Sequence, residues 1–217
     1  MEAILEQLIA SPRLSLFQRE IEQVLDKEKA RREHFIETMS ESEKVEFING
    51  EVVVHSPVKL QHTVASKLLM RLLDTFVDSR DLGFTGFEKM LISLTRNDYE
   101  PDICFFRAEV ADAFTPKQMR FPAPDFIVEI LSDSTTARDR GVKFDDYAAH
   151  GVAEYWIIDP DEEVVEQYFL DGNHYRLAYK VGSGTLTSRI VTGFEIPVRA
   201  IFDPEANLAA LRQLLLG

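Results

Sequence analysis

Asp125-Phe126-Ile127-Val128-Glu129-Ile130-Leu131, running straight into Ser132-Asp133-Ser134-Thr135, decides how this chain of 217 residues is read. The run is apolar on both faces, which fits a central strand of a covered sheet rather than a half-solvated one. Ser132 to Thr135 supply a helix entry, the pattern continues as helix over 136–149, and Gly151 is its natural stop. A further strand follows at Glu154 to Asp159. Around this unit the order is helix, strands, helix, hairpin strands, strand, helix, strands. That is a mixed α/β (α+β) order with one central sheet flanked by helices.

Upstream, Tyr99-Glu100-Pro101-Asp102 leads into the apolar run Ile103 to Phe106. Residues 59–79 form an amphipathic helix, with Leu60, Val64, Leu68, Leu72 and Phe76 at i, i+4 spacing and His62 near its first turn. Val45 to Ile48 and Glu51 to Val54 flank Asn49-Gly50, a strong hairpin signal. Residues 1–43 read as a polar helical extension, with Ser15 and Gln18 spaced as a capping box and a mixed-sign patch from Lys27 to Glu33 that reads as a solvated face. Downstream, strands are expected at Val164 to Leu170, at His174 to Val181 and within 185–202, and Leu208 to Leu216 closes as a helix. The domain division is therefore 1–43 and 44–217.

Composition narrows the classes. Lys plus Arg number 24 and Asp plus Glu 37, a formal charge of −13. That argues against a polyanion-binding surface over the whole molecule, though not against a local basic groove. The single cysteine, Cys104, lies in an apolar run and reads as a buried small hydrophobe; one cysteine fits a reducing cytoplasm. No membrane span and no signal peptide are recognisable.

The chemistry gathers on three residues. Asp102 opens a buried strand, Glu129 sits inside the next strong one, and Lys143 lies on the following helix. A carboxylate within an apolar strand is costly without a counter-ion or metal. Two of them on adjacent strands repel and raise one pKa unless a divalent cation lies between. Oxygen ligands suit Mg²⁺, with Mn²⁺ as substitute. Lys143 would orient or deprotonate a water, or steady charge developing on phosphorus. Asp139, Lys143 and Tyr147 share one helix face at i, i+4; an ordinary Asp139–Lys143 surface pair is the competing reading. His62 suits a phosphate or water contact as well as a structural role. Tyr147, Tyr155 and Trp156 read as core. Arg138, Arg140, Lys143, Lys59 and Lys67 either form a small positive rim or pair with nearby acids.

Pro101-Asp102, Val128 to Thr135, Asp139 with Lys143, Tyr147 and the stretch Gly151 to Asp159, with Glu46, Gly50-Glu51 and His62 upstream, resemble the Uma-type restriction endonuclease family of the PD-(D/E)XK nuclease superfamily. The resemblance covers about residues 44–202. It implies a restriction-endonuclease-like core, with Asp102 and Glu129 as metal ligands, Lys143 as the catalytic lysine, Glu46 as an accessory carboxylate, and His62 and Asp139 in support. It further implies hydrolysis of DNA phosphodiester bonds by a metal-activated water, with a homodimer as the expected assembly. One departure is plain: the (D/E)XK lysine position is Leu131, and the lysine comes from the next helix. The charge of −13 means DNA should bind weakly without metal. It also keeps open a catalytically silent module of the same fold that binds partners, and a hydrolase of small phosphoesters.

Overall fold

The computed structural model of the chain describes residues 2–40 and 43–216, and the sheets counted here are those of the described residues. Helices α1 (Glu2–Ile9) and α2 (Leu14–Thr38) lead into a hairpin of β1 (Val45–Ile48) and β2 (Glu51–Val54). Asn49 (φ 50°) and Gly50 (φ 85°) both occupy left-handed backbone, as an Asn-Gly hairpin turn requires. Gly50 has a second reason to lack a side chain: α2 passes over the turn, and a Cβ there would lie 2.7 Å from Glu28 Cγ.

Next come α3 (Leu60–Asp78), β3 (Gly83–Phe87), β4 (Leu91–Ser93), β5 (Asp98–Tyr99) and β6 (Ile103–Arg107). The short α4 (Ala108–Ala111) precedes β7 (Arg120–Phe121), β8 (Phe126–Ile130), α5 (Thr136–Asp139), α6 (Val142–Ala149) and β9 (Glu154–Asp159). The order ends with β10 (Val164–Asp171), β11 (His174–Val181), β12 (Thr185–Thr187), β13 (Glu195–Pro197), a 3₁₀ turn over Val198–Ile201 and α7 (Pro204–Leu216).

The run that opened the sequence reading is β8, an inner strand of a six-stranded sheet ordered β11-β10-β9-β8-β6-β3. It pairs antiparallel with β6 and parallel with β9, the parallel pair being bridged by α5 and α6. All of its residues are buried. Alternate side chains serve two cores. Phe126, Val128 and Ile130 join Phe105, Trp156 and the apolar face of α3. Ile127 joins Cys104, Tyr147, Tyr155 and Ile157 on the other side. Glu129 shares the parity of Ile127, and Asp102 that of Cys104, so both carboxylates are directed to the α6 side of the sheet.

The structure departs from the sequence reading at several places. The single central sheet is corrected: a five-stranded sheet, β2-β1-β5-β4-β7, and a β12–β13 ribbon accompany the six-stranded one. The hairpin joins its sheet through β5, with Phe47 opposite Asp98. A strand of two residues is too short for any period to register. The helix over 136–149 is two helices, broken at Gly141, where a Cβ would lie 2.8 Å from the Ala137 carbonyl oxygen. The capping box at Ser15 is not used. Arg13 is the N-cap of α2, and the Gln18 amide donates to Glu22 instead. The last helix starts at Pro204, whose missing N–H has no partner to lose at a helix start.

The patch from Lys27 to Glu33 is corrected as well, because it is not uniformly solvated. Glu28 is buried and accepts two hydrogen bonds from Arg96, at 2.7 and 2.8 Å. Arg32 donates to both oxygens of the buried Asp98, at 2.5 and 2.8 Å, and to the carbonyls of Leu94, Thr95 and Asn97. Earlier on α2, Leu16, Ile21, Val24 and Leu25 remain exposed. No described helix is long and apolar enough to cross a membrane.

Candidate active site

The residues just before β1 and β6 and just after β2 meet β8, α3 and α6 at one cleft of about 340 Å³, bordered by Lys44, His55, His62, Asp102, Glu129 and Lys143. A larger groove of about 810 Å³ between α2 and the β1–β2 hairpin rests on Phe35 and Phe47 and gathers no comparable buried charges.

The floor of the cleft is an acid–base cluster. Lys143 comes from α6 and is 1% exposed. Its Nζ lies 2.8 Å from Glu46 Oε1, 3.0 Å from Glu129 Oε1 and 3.4 Å from Asp139 Oδ1. Tyr147, one turn further on, donates its hydroxyl to the same Glu129 oxygen at 2.9 Å. Asp102 is held separately. Its Oδ1 lies 2.7 Å from Lys44 Nζ, and its Oδ2 accepts from the Ile130 amide at 2.8 Å, with His62 Nε2 at 3.2 Å. Glu46 accepts from the Glu100 amide at 3.0 Å, and its Oε2 lies 2.9 Å from His55 Nε2.

Four carboxylates therefore share two lysines, and the imbalance sets their protonation. Burial opposes the charge on Lys143, but Glu129, Glu46 and Asp139 outweigh it and hold its pKa well above the ordinary value. Burial pushes Glu129 up to about 8 against the pull of Lys143, with Asp139, Asp102 and Glu46 adding repulsion. Burial likewise raises Asp139. Glu46 goes the other way: Lys143 and His55 overcome its burial and hold it at about 2. Lys44 and His62 overcome burial at Asp102 and keep it well below the carboxylate range.

All six candidate residues thus meet in one place. Glu46 is fully buried rather than a solvent-facing hairpin residue, and the Asp139–Lys143 pair lies inside the protein rather than on its surface. Tyr147 is core, as read, but it also touches the site. Sequence reasoning missed Lys44 and His55. A signal for both exists: Lys44 has the parity of Glu46, and the ladder of the hairpin extends to them, the His55 amide donating to the Lys44 carbonyl. The positive rim dissolves in part. Lys59 pairs with Asp133 and Asp161, and Arg140 with Glu166.

The family whose description reads "Putative restriction endonuclease", Uma2, matches residues 32–199. This chain belongs to the Uma2 family. A relative, the uncharacterised protein sll1609 of Synechocystis, is 30% identical over 130 residues, 58% of this chain and 72% of its own. A solved structure described as "a putative nuclease belonging to DUF820" from Anabaena variabilis superposes with a TM-score of 0.67, covering 77% of this chain and 94% of that one. At 17% identity this likeness shows the fold alone. The resemblance read from the motifs is borne out, as is the restriction-endonuclease-like fold.

In this Uma2 chain Leu131, the expected lysine position, is packed in the second core, and the ammonium beside Glu129 arrives from α6. Among the described residues no three of His, Cys, Asp and Glu form a ready-made metal cage. The donor chemistry nonetheless fits a hard divalent cation: Asp102 and Glu129 border one cleft, and Mg²⁺ is typically held by one or two carboxylates while it keeps several waters.

The Arg140 pair gives a pH prediction. Arg140, Lys180 and Tyr168 overcome burial and hold Glu166 at about 2. Since that lies below the unfolded value, the stabilisation is present above pH 4.5 and is lost as pH falls towards 2. Glu166→Gln should therefore cost about 1–2 kcal/mol at pH 7, because both cationic partners reach solvent. Urea unfolding at pH 7 and pH 3 should show the deficit shrinking; an equal deficit at both would refute it.

Proposed function

We propose that the protein is a Mg²⁺-dependent endodeoxyribonuclease of the PD-(D/E)XK type, acting in the cytoplasm on DNA phosphodiester bonds. Asp102 and Glu129 would hold the cation, and Mn²⁺ would substitute. When bound, the cation supplies the Lewis acidity that activates water and spreads charge on the phosphoryl oxygens. The chain's own groups do the rest. Lys143, held protonated by three acids, steadies negative charge at the cleft floor rather than acting as a base. Glu46 and Asp139 keep that ammonium in place, while His62 and the Ile130 amide fix the Asp102 carboxylate. The observation that carries the reading is the fully buried Lys143 set between Glu129 and Glu46 at the foot of a cleft bordered by Asp102, in a chain of a restriction endonuclease family.

With a charge of −13, DNA should be held locally, weakly without metal, and with affinity falling steeply as salt rises. Cutting both strands would call for two copies. The extension over 1–43, with its exposed Leu16, Ile21, Val24 and Leu25, would serve a homodimer.

A second reading rests on one observation: both Asp102 oxygens are already satisfied within the chain. A silent module that binds partners would be content with that arrangement.

Plasmid cleavage separates the two. With Mg²⁺ or Mn²⁺ the wild type should nick supercoiled DNA, and Asp102→Asn should lose at least about 10²–10³-fold in rate. Equal cleavage by both would mean a contaminating nuclease and would sink the assignment. No cleavage, with no Mn²⁺ binding at millimolar concentration by calorimetry, would favour the silent module.

A further inference from the structure

The two lysines of the cleft differ in their freedom. Lys143 is wrapped by three carboxylates and is 1% exposed. Lys44 stands in the segment before β1, its side chain 23% exposed, and its ammonium meets one carboxylate oxygen, Asp102 Oδ1, at 2.7 Å. The other Asp102 oxygen is turned into the protein towards the Ile130 amide and His62. The oxygen that Lys44 covers is thus the one without a backbone anchor, and Lys44 itself borders the cleft together with His55, Glu129 and Ser134. A flexible four-carbon stem with its head at the cleft wall can leave without disturbing the sheet. Its carbonyl, tied to the His55 amide at 3.0 Å, keeps the backbone in place when the head moves.

We propose that Lys44 is a resident counter-ion: it occupies the cleft-side oxygen of Asp102 in the metal-free protein and competes with a divalent cation for it. The inference rests on the metal-dependent reading above. Lys44 is here a positioning residue whose head group sets how strongly the cleft takes up a cation. An ammonium and a divalent cation repel when crowded on one carboxylate oxygen, so uptake of an ion at Asp102 Oδ1 would push the ammonium towards the cleft mouth. Lys44 therefore lowers metal affinity and makes the site less prone to hold a cation at low concentration.

Calorimetric titration of the full chain with Mn²⁺ tests this, using wild type, Lys44→Met and Lys44→Arg, with circular dichroism to confirm folding. Lys44→Met should bind Mn²⁺ at least tenfold more tightly than wild type, and Lys44→Arg, which keeps the charge, should stay within about threefold of it. A purely structural ion pair would lower the melting temperature of Lys44→Met and leave Mn²⁺ affinity unchanged. Unchanged or weaker binding by Lys44→Met, with wild type binding normally, overturns the counter-ion role alone. Absence of binding in all three proteins overturns the metal-dependent reading and this role with it. Should Lys44→Met not fold, Lys44→Gln carries the same contrast.

Discussion

Lys143→Met should remove about 3–5 kcal/mol of stability at pH 8, a large part of the 5–15 kcal/mol typical of a folded domain. Methionine matches the lysine stem in length, so little of this loss comes from packing. It comes from Glu46, Glu129 and Asp139, which are 0%, 2% and 1% exposed and would lose their shared cation. Burial already holds Glu129 and Asp139 above their unfolded values with Lys143 in place, and without that cation Glu46, now held at about 2, would rise as well. Groups shifted in that direction stabilise the fold below the unfolded carboxylate pKa, and the benefit is lost as pH climbs. The variant should accordingly trail wild type less at pH 4.5, where Glu46 alone is charged beside Lys143, and fall further behind up to pH 8. Urea unfolding at the two pH values measures it. A deficit below about 1 kcal/mol at pH 8 would show that the acids do not depend on Lys143.

Arg32→Met should cost about 3 kcal/mol and loosen the N-terminal helix from the rest of the protein. The guanidinium satisfies both oxygens of Asp98, which is fully buried, and the carbonyls of Leu94, Thr95 and Asn97 in the β4–β5 turn region would lose their donor. Some of the loss is recovered because Ser93 still donates to Asp98 and the arginine itself is 14% exposed, which places the effect at the lower end for a broken buried pair. The disturbance should not stop at α2. Asn97 and Tyr99, on either side of Asp98, both donate to Asp146 Oδ2, and Asp146 lies one turn beyond Lys143 on α6. Amide hydrogen exchange should therefore quicken over residues 28–38 and, less strongly, over α6, while β8 and β9 keep their protection. Unchanged exchange in α2 would mean that Glu28–Arg96 and Phe35 alone suffice to dock it.

These two residues mark where sequence reading succeeded and where it stopped. Glu129 and Asp102 were legible because a carboxylate within or at the head of an apolar strand contradicts its surroundings and demands a partner, and Lys143 through its i, i+4 helix face and the motif resemblance. β8, α3 and the Asn49-Gly50 hairpin were legible because each carries a full period or a turn with one geometry. Arg32 was not, since an arginine in a mixed-sign helix looks the same whether it faces water or a carboxylate 66 residues away. β5 was not, because its two residues carry no pattern, and with it went the second sheet. Lys44 and His55 lie one step beyond the hairpin strands, so an alternation stopped at the strand ends misses them. The break at Gly141 was hidden because Asp139 and Lys143 keep their i, i+4 contact across it.

The outer strand of the five-stranded sheet bears on how any binding assay will behave. Among the described residues β2 has no strand partner on one side and shows Val52 and Val54 to solvent, an edge onto which another strand can add. The charge of −13 keeps copies apart, but only over the Debye length, about 30 Å at 0.01 M salt and about 10 Å at 0.1 M. Raising salt to strip DNA from the protein therefore also removes the colloidal repulsion that guards this edge. A titration read by turbidity or anisotropy would then record sticking of the protein to itself as though it were a change in DNA occupancy. A lysine at Val52 would separate the two effects at their source.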